Sequence, residues 1–291
     1  MIKKIMSVII TTIMLVGCGS NSEKVKIGSK NFTESLVIAE IYAQALEKEN
    51  IEVERVFNIS GTLVHKAIIN KDIDLYPEYT GTGLLSILKL PLETDPQKVY
   101  EIVKKEYKEK FNIKWLELTK VHDGQGLVVR TEIAEKYNIY TISDLQKNAD
   151  KIRFATQGEF HKREDALPLL EKVYGKFNWQ SFKLYSNELK YSVLESDSAD
   201  STIVYTTEGS LVKKDKFTLL KDDKNAWPPY NLVAIVREDT LEKNSKIEEI
   251  LNEVGKKLNS EIVIKLNAMV DIDGIDYETV AKKFLNGSID E

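Results

Sequence analysis

Val25-Lys26-Ile27-Gly28-Ser29-Lys30-Asn31-Phe32-Thr33-Glu34 reads as a short strand, a turn and the start of a helix. Val25 to Ile27 supplies the strand. From Glu34 to Glu49, Ile38, Ile41, Tyr42 and Ala45 recur at helical spacing. Asn31, three residues before Glu34, is placed to cap that helix. Gly28 permits close backbone approach, and the N–H groups at a helix start attract anions. Lys30 adds a positive charge there. The plain alternative is a βα turn with a solvated lysine, and local physics leaves both readings open.

The same alternation continues outward. Strands are expected at Val53–Asn58, at Ile73–Tyr76 ending before Pro77, at Ile113–Leu118 and at Gly126–Arg130. Helices are expected at 62–70 and at Pro96–Phe111, where Val99, Ile102, Val103 and Tyr107 share a face. Further strands are expected at Ile152–Thr156, Phe182–Tyr185, Ser201–Thr206, Phe217–Leu220 and Asn231–Arg237, with helices at 163–174 and 188–195 and a helix-rich tail from Thr240. Alternating β and α segments imply an α/β protein whose sheets are covered on both faces. No long linker or internal repeat separates two units, so a second lobe is inserted within the first.

The N-terminus carries a different signal. Lys3 and Lys4 precede an uncharged, largely apolar stretch from Ile5 to Gly17, too short to span a bilayer as a helix but suited to a secretory h-region. It ends in Leu15-Val16-Gly17-Cys18, which resembles a bacterial lipobox. Residues 1–17 are thus expected to be a signal peptide, Cys18 the lipidated residue and 18–23 a tether. Cys18 is the only cysteine of the 291 residues, so with it acylated no disulfide forms. An ordinary signal peptide with an incidental cysteine is the alternative. The whole chain has 41 Lys+Arg against 46 Asp+Glu, a formal charge of −5, and losing Lys3 and Lys4 would take it to −7. That balance argues against nucleic acid and against electrostatic docking on anionic lipid.

Five motifs stand out. The first is the Lys30 turn. Asp74-Leu75-Tyr76-Pro77-Glu78-Tyr79-Thr80-Gly81-Thr82-Gly83 puts two tyrosines, a proline and two glycines between a strand and an apolar helix; Tyr79 and Thr82 are candidates to face one cavity. Its Gly-x-Gly is no dinucleotide fingerprint, because Ser86 holds the third glycine position. Arg163, in Phe160 to Asp165, is able to fork onto a carboxylate; a surface ion pair is the commoner fate of a lone arginine. Tyr205-Thr206-Thr207-Glu208-Gly209 ends a strand, and Trp227-Pro228-Pro229-Tyr230 precedes one. Singly, each is as compatible with packing as with a site.

Taken in order, these segments resemble the substrate-binding proteins of osmoprotectant ABC importers, which bind glycine betaine, carnitine and choline. The segments are Gly-Ser-Lys-Asn-Phe-Thr-Glu, Asp-Leu-Tyr-Pro-Glu-Tyr-Thr-Gly-Thr, Glu-Phe-x-x-Arg-x-Asp, Asp-Asp-Lys-x-x-x-Pro-Pro-Tyr at Asp222–Tyr230, Leu266-Asn267-Ala268, and Val280 to Leu285. The resemblance covers residues 24–286. It implies an α/β, two-lobed Venus-flytrap fold of the type II periplasmic-binding class. Lobe one would be 24–122 and 231–291, and lobe two 123–230, with ligand held in the cleft. It implies a monomer anchored outside the cytoplasm by lipid, working with an ABC permease and its ATPase subunits. By position, Tyr79, Tyr205 and Tyr230 match three tyrosines of the family's cage for a methylated ammonium. Such an ammonium has no N–H to donate, so aromatic faces read it instead. Lys30, Thr82 and Arg163 match the groups that grip a ligand carboxylate.

One departure bears on the ligand. Ten residues beyond Trp115, where the family usually has another cage tyrosine, stands Gln125, preceded by His122 and Asp123. A polar wall favours carnitine, choline or a bulkier betaine such as ergothioneine over glycine betaine; His122 is equally readable as a hinge residue. Catalysis is not expected. His65, His122 and His161 lack metal-ligand spacing, no metal or cofactor is implied, and no nucleophile elbow, zincin motif or phosphate loop occurs. A lipoprotein that senses a solute without transporting it remains the rival class.

Overall fold

The computed structural model describes residues 24–61, 63–157, 160–162, 166–186 and 189–289, so Cys18 and Arg163 lie outside the described residues. The chain opens with β1 (Val25–Lys30), α1 (Thr33–Lys48), β2 (Val53–Ile59), α2 (Leu63–Ile69) and β3 (Leu75–Tyr79). A π-helical turn (Thr82–Ile87), α3 (Pro96–Phe111) and β4 (Ile113–Trp115) follow. The middle holds β5 (Gln125–Arg130), α4 (Thr131–Tyr137), α5 (Ile142–Lys147), β6 (Arg153–Gln157) and α6 (Leu167–Tyr174). It continues through β7 (Ser181–Tyr185), α7 (Lys190–Glu195), β8 (Ser201–Tyr205), a 3-10 turn (Gly209–Val212) and β9 (Phe217–Leu219). β10 (Leu232–Arg237) then leads into α8 (Glu238–Lys243), α9 (Lys246–Lys257), α10 (Ser260–Asp271) and α11 (Tyr277–Asn286).

The strands form two five-stranded sheets, ordered β2-β1-β3-β10-β4 and β7-β6-β8-β5-β9. Both are mixed. β1 runs parallel to β2 and β3, whereas β10 is antiparallel to β3 and β4. β6 runs parallel to β7 and β8, whereas β5 is antiparallel to β8 and β9. Each sheet is apolar on both faces, as the sequence pattern implies. In β10, Leu232, Ala234 and Val236 pack toward α1, α9 and α10, while Val233 and Ile235 pack toward α2, α3 and Trp115. In β5, Leu127 and Val129 face one cluster and Val128 the other. That alternation is the period-two pleat written in side chains. Trp115, Tyr42, Tyr76 and Tyr107 are among the largest side chains fully buried; burying a large apolar side chain contributes roughly 1.5–3 kcal/mol.

Two local expectations are corrected. β3 does not stop at Tyr76 but runs through Pro77, which pairs with Ala234 of β10. Thr80 donates its N–H to Asn231 across that ladder at 3.0 Å. By alternation the nitrogen of Pro77 points to the other side, where β1 meets β3 only at Leu75, so no ladder bond is lost. Asn31 does not cap α1; Phe32 occupies the cap position without a side-chain hydrogen bond, and Ser35 Oγ instead accepts from the Lys30 N–H at 2.8 Å. Helices α4 and α5, absent from the periodicity reading, are each only two turns long or less. The second is held by a capping box between Thr141 and Asp144.

The chain passes between the sheets at two adjacent places. Val121 to Gln125 and Tyr230 to Leu232 run antiparallel, bridged by Asp123 N–H to the Tyr230 carbonyl (3.0 Å) and Leu232 N–H to the Val121 carbonyl (3.1 Å). The site lies beside this pair of strands.

Candidate functional site

The C-terminal ends of β1, β3 and β8 and the N-terminus of α1 converge on a cavity of about 710 Å³. Lys30, Tyr79, Thr82, Gln125, Tyr205 and Tyr230 all line it, so six of the seven ligand-binding positions read from sequence meet in one place. Arg163, the seventh, lies outside the described residues. Gln125 also borders a second cavity of about 500 Å³, shared with His122 and Trp227.

The aromatic residues stand at element ends. Tyr205 closes β8 and is 53% exposed, its backbone N–H bonded to Glu208 at 2.9 Å. Tyr230 sits on the second crossing strand, pressed against Gly81: a Cβ on that glycine would lie 2.7 Å from the tyrosine ring. Tyr79 is almost fully buried and donates its hydroxyl to Glu34 at 2.7 Å. Sequence reasoning passed over Phe32 and Tyr191, which add two more rings to the lining.

Lys30 departs from both sequence readings. It is buried rather than solvated, and its ammonium is ion-paired with the buried Glu78 carboxylate. Glu78 is held in turn by the Tyr76 hydroxyl (2.9 Å) and the Tyr79 N–H (2.8 Å). The ammonium also lies 5.0 Å from the Tyr79 ring centroid. One face of a matched cage tyrosine therefore already carries a protein cation. Lys190 is likewise spent: it pairs with Glu208, which also accepts from the Tyr191 hydroxyl at 2.7 Å.

Three further carboxyls line the cavity: Glu34, Asp123 and, on its exposed rim, Asp271. Glu34, in the first turn of α1, accepts from Tyr79 through one oxygen and from Thr207 and Asn267 through the other. Burial, reinforced by the negative charge of Asp123, pushes its acid constant up to about 8, against the hydrogen bonds that favour its ionised form. Asp123, on the first crossing strand, is pushed up to about 6, chiefly by burial and opposed by a hydrogen bond from Thr207. Its Oδ1 is buried with no hydrogen-bond partner among the described residues, as is Oδ1 of Asn267. Neither Glu34 nor Asp123 is ion-paired among the described residues. The lining is thus aromatic and carries negative charge beyond what its lysines neutralise, which suits a cationic group that brings apolar surface.

The two sheets are tied together around the cavity. Asn267 of α10 donates to the Thr207 carbonyl at 2.8 Å, and Thr207 in turn bonds Glu34 of α1. Gly209 lies so close to α10 that a Cβ would come within 2.8 Å of the Ala268 nitrogen. Glycine is required there by backbone approach. Glu34 and Glu208 sit within sequence motifs singled out for other residues, but nothing in the sequence shows which side of a turn faces the cleft.

Residues 23–287 match the model of the substrate binding domain of the ABC-type glycine betaine transport system. The chain is 34% identical over 262 residues to an ergothioneine transport permease/ergothioneine binding protein of Helicobacter pylori, an alignment covering 89% of this chain and 46% of that protein. It thus spans less than half of that relative's length. It is 30% identical over 271 residues to a carnitine transport binding protein of Listeria monocytogenes, covering 92% of this chain and 87% of that one. A crystal structure described as a glycine betaine/carnitine/choline ABC transporter superposes with a TM-score of 0.87 at 27% identity, covering 91% of this chain and 98% of the other. The fold and site define a solute-binding protein of the two-lobed type II periplasmic-binding class. The chain belongs to the family of substrate binding domains of ABC-type glycine betaine transport systems, whose role is extracytoplasmic solute binding rather than catalysis.

Proposed function

We propose that this protein captures a quaternary-ammonium compound in the cavity between its lobes and hands it to an ABC permease driven by its ATPase subunits. The observation that carries the proposal is the lining itself. Tyr205, Tyr230, Tyr79 and Tyr191 surround a cavity whose carboxyls outnumber its lysines. A methylated ammonium is attracted to ring faces by roughly 0.5–2 kcal/mol each and to the negative field without needing a hydrogen bond. Lobe boundaries at 122/123 and 230/231 belong to the same proposal, with the paired crossing strands as the hinge on which the lobes close. So does lipid anchoring at Cys18, with the protein acting as a monomer.

Among such compounds, a betaine bulkier than glycine betaine, such as ergothioneine, has specific support. The cavity, at about 710 Å³, belongs to the size class that encloses drug-sized ligands. Gln125 presents an amide, a donor and an acceptor without a ring face, on the cavity lining where the family usually places a ring. A hydroxyl or an imidazole-type ring on the ligand can hydrogen-bond to such a polar wall, as a bare trimethylammonium cannot. The Helicobacter pylori relative, named for ergothioneine, points the same way.

Calorimetric titration of wild type and Gln125→Tyr with glycine betaine, carnitine, choline and ergothioneine tests this. The expected result is wild-type preference for a ligand with the extra polar group, and a shift toward glycine betaine in Gln125→Tyr. Preference of both proteins for glycine betaine would remove the bulky-betaine reading.

A further inference from the structure

We infer that Glu34 and Asp123 form a proton-holding carboxyl pair, and that capture of a quaternary ammonium in the cavity expels their proton to solvent. This rests on the proposed ligand class and adds a property of the site that aromatic recognition alone does not require.

The charge inventory leads to it. The two lysines that line the cavity are neutralised by Glu78 and Glu208. Of the three carboxyls left, Asp271 stands on the exposed rim, and Glu34 and Asp123 both accept hydrogen bonds from Thr207 with no ion pair among the described residues. With Glu34 buried and the charge of Asp123 raising the cost of ionising it, the pair retains a proton that water-exposed acids would lose. Asp123 Oδ1 has no hydrogen-bond donor among the described residues, and Thr207 and the charge of Lys30 only partly offset the burial of this carboxyl. A fixed cation in the cavity reverses the balance. It cannot lose a proton itself, it supplies the missing positive charge, and it makes the doubly ionised pair the stable form. The Glu34 O–H bond breaks, the proton leaves for solvent and the cation takes its place.

The other groups facing the pair do not account for such a proton. The phenols of Tyr42 on α1, Tyr79 on β3 and Tyr191 on α7 are pushed upward by burial and stay neutral. His122, next to Asp123 in the chain, is held below its ordinary value by burial and answers to Asp222. Lys30 with Glu78, and Lys190 with Glu208, are closed ion pairs. Asp271 accepts from Thr33 at 2.6 Å on the exposed rim.

The sign follows from which state holds the proton. Free protein carries it on the pair up to about pH 8, and bound protein does not. Affinity therefore rises with pH as far as that value and then levels. The ceiling is about tenfold per pH unit for one proton released.

The test is calorimetry of the purified protein with choline, glycine betaine, carnitine and ergothioneine at pH 6, 7 and 8, each in two buffers of different ionisation enthalpy. None of these ligands exchanges a proton in that range. For those that bind, the expected result is about fivefold or more tighter binding at pH 8 than at pH 6. The heat should change with buffer in the sense of proton release. Binding of equal strength at pH 6 and 8 with buffer-independent heat overturns the inference and leaves the proposed function standing. No binding by any of the four at any pH overturns both. Glu34→Gln, where it folds and binds, should show neither pH dependence nor release between pH 7 and 8, above the range of Asp123; persistence of both there in that variant also overturns the inference. The wild-type titration decides the matter whether or not the variant folds.

Discussion

At the residue scale, Glu34 and Lys30 show how charge is distributed around the cleft. Glu34 holds a raised acid constant, about 8, so in the ligand-free protein its ionisation opposes folding. Between the ordinary glutamate value and pH 8 the native state binds the proton and the unfolded state does not. This group's contribution to stability is therefore present at low pH and lost as pH rises through that window. Glu34→Gln removes the loss: relative to wild type it should gain stability from pH 5 to pH 8, by about 1 kcal/mol or more in urea unfolding. A constant difference across that range would mean that Glu34 is ionised in the free protein. Lys30 was legible as a candidate lining residue but not as the partner of Glu78, because strand pairing, not sequence distance, brings β1 and β3 together. Lys30→Met leaves a buried carboxylate unpaired and should cost about 3–5 kcal/mol of unfolding free energy. A loss below about 1 kcal/mol would place Glu78 among solvated groups.

At the scale of elements, the alternation of strands and helices was readable because apolar residues recur at period 2 or 3.6 in segments buried on one or both sides. Helix α3 carries its own signals: Asp95 accepts from Lys98 N–H, Pro96 stands in the first turn, and Asn112 closes the helix in the left-handed region. Pro77 misled the strand boundary because a proline is harmless only where the neighbouring ladder is absent, and that is a fact of sheet topology. Asn31 misled the cap assignment, since Ser35 takes the Lys30 N–H and the helix opens on Phe32. Gly209 and Gly81 were unreadable for the same reason: their neighbours, α10 and Tyr230, are distant in sequence. Gly209→Ala would press the 3-10 turn off α10 and loosen the contact that joins the lobes. It should weaken ligand binding severalfold while the unfolding midpoint moves little, as read by titration and thermal melting in parallel. Unchanged affinity would detach that contact from ligand capture.

At the scale of the whole molecule, two sheets of matching strand order, joined by paired crossing strands, place the cavity where a closing motion encloses it. The proposed lipid anchoring rests on a different part of the chain, the Leu15-Val16-Gly17-Cys18 stretch. Cys18→Ser should release the protein from membranes or leave it unprocessed, as seen by fractionation and mass; a processed variant retained on the membrane would contradict the lipobox. The central claim is that the tyrosine-lined cavity reads a quaternary ammonium. The most direct measurement is the affinity of Tyr205→Ala, Tyr230→Ala and the double variant for the tightest ligand of the four, beside wild type and with melting temperatures recorded. Each single change should weaken binding about five- to thirtyfold, corresponding to about 1–2 kcal/mol for a lost ring face, with the fold retained. Wild-type affinity in all three variants would contradict the account.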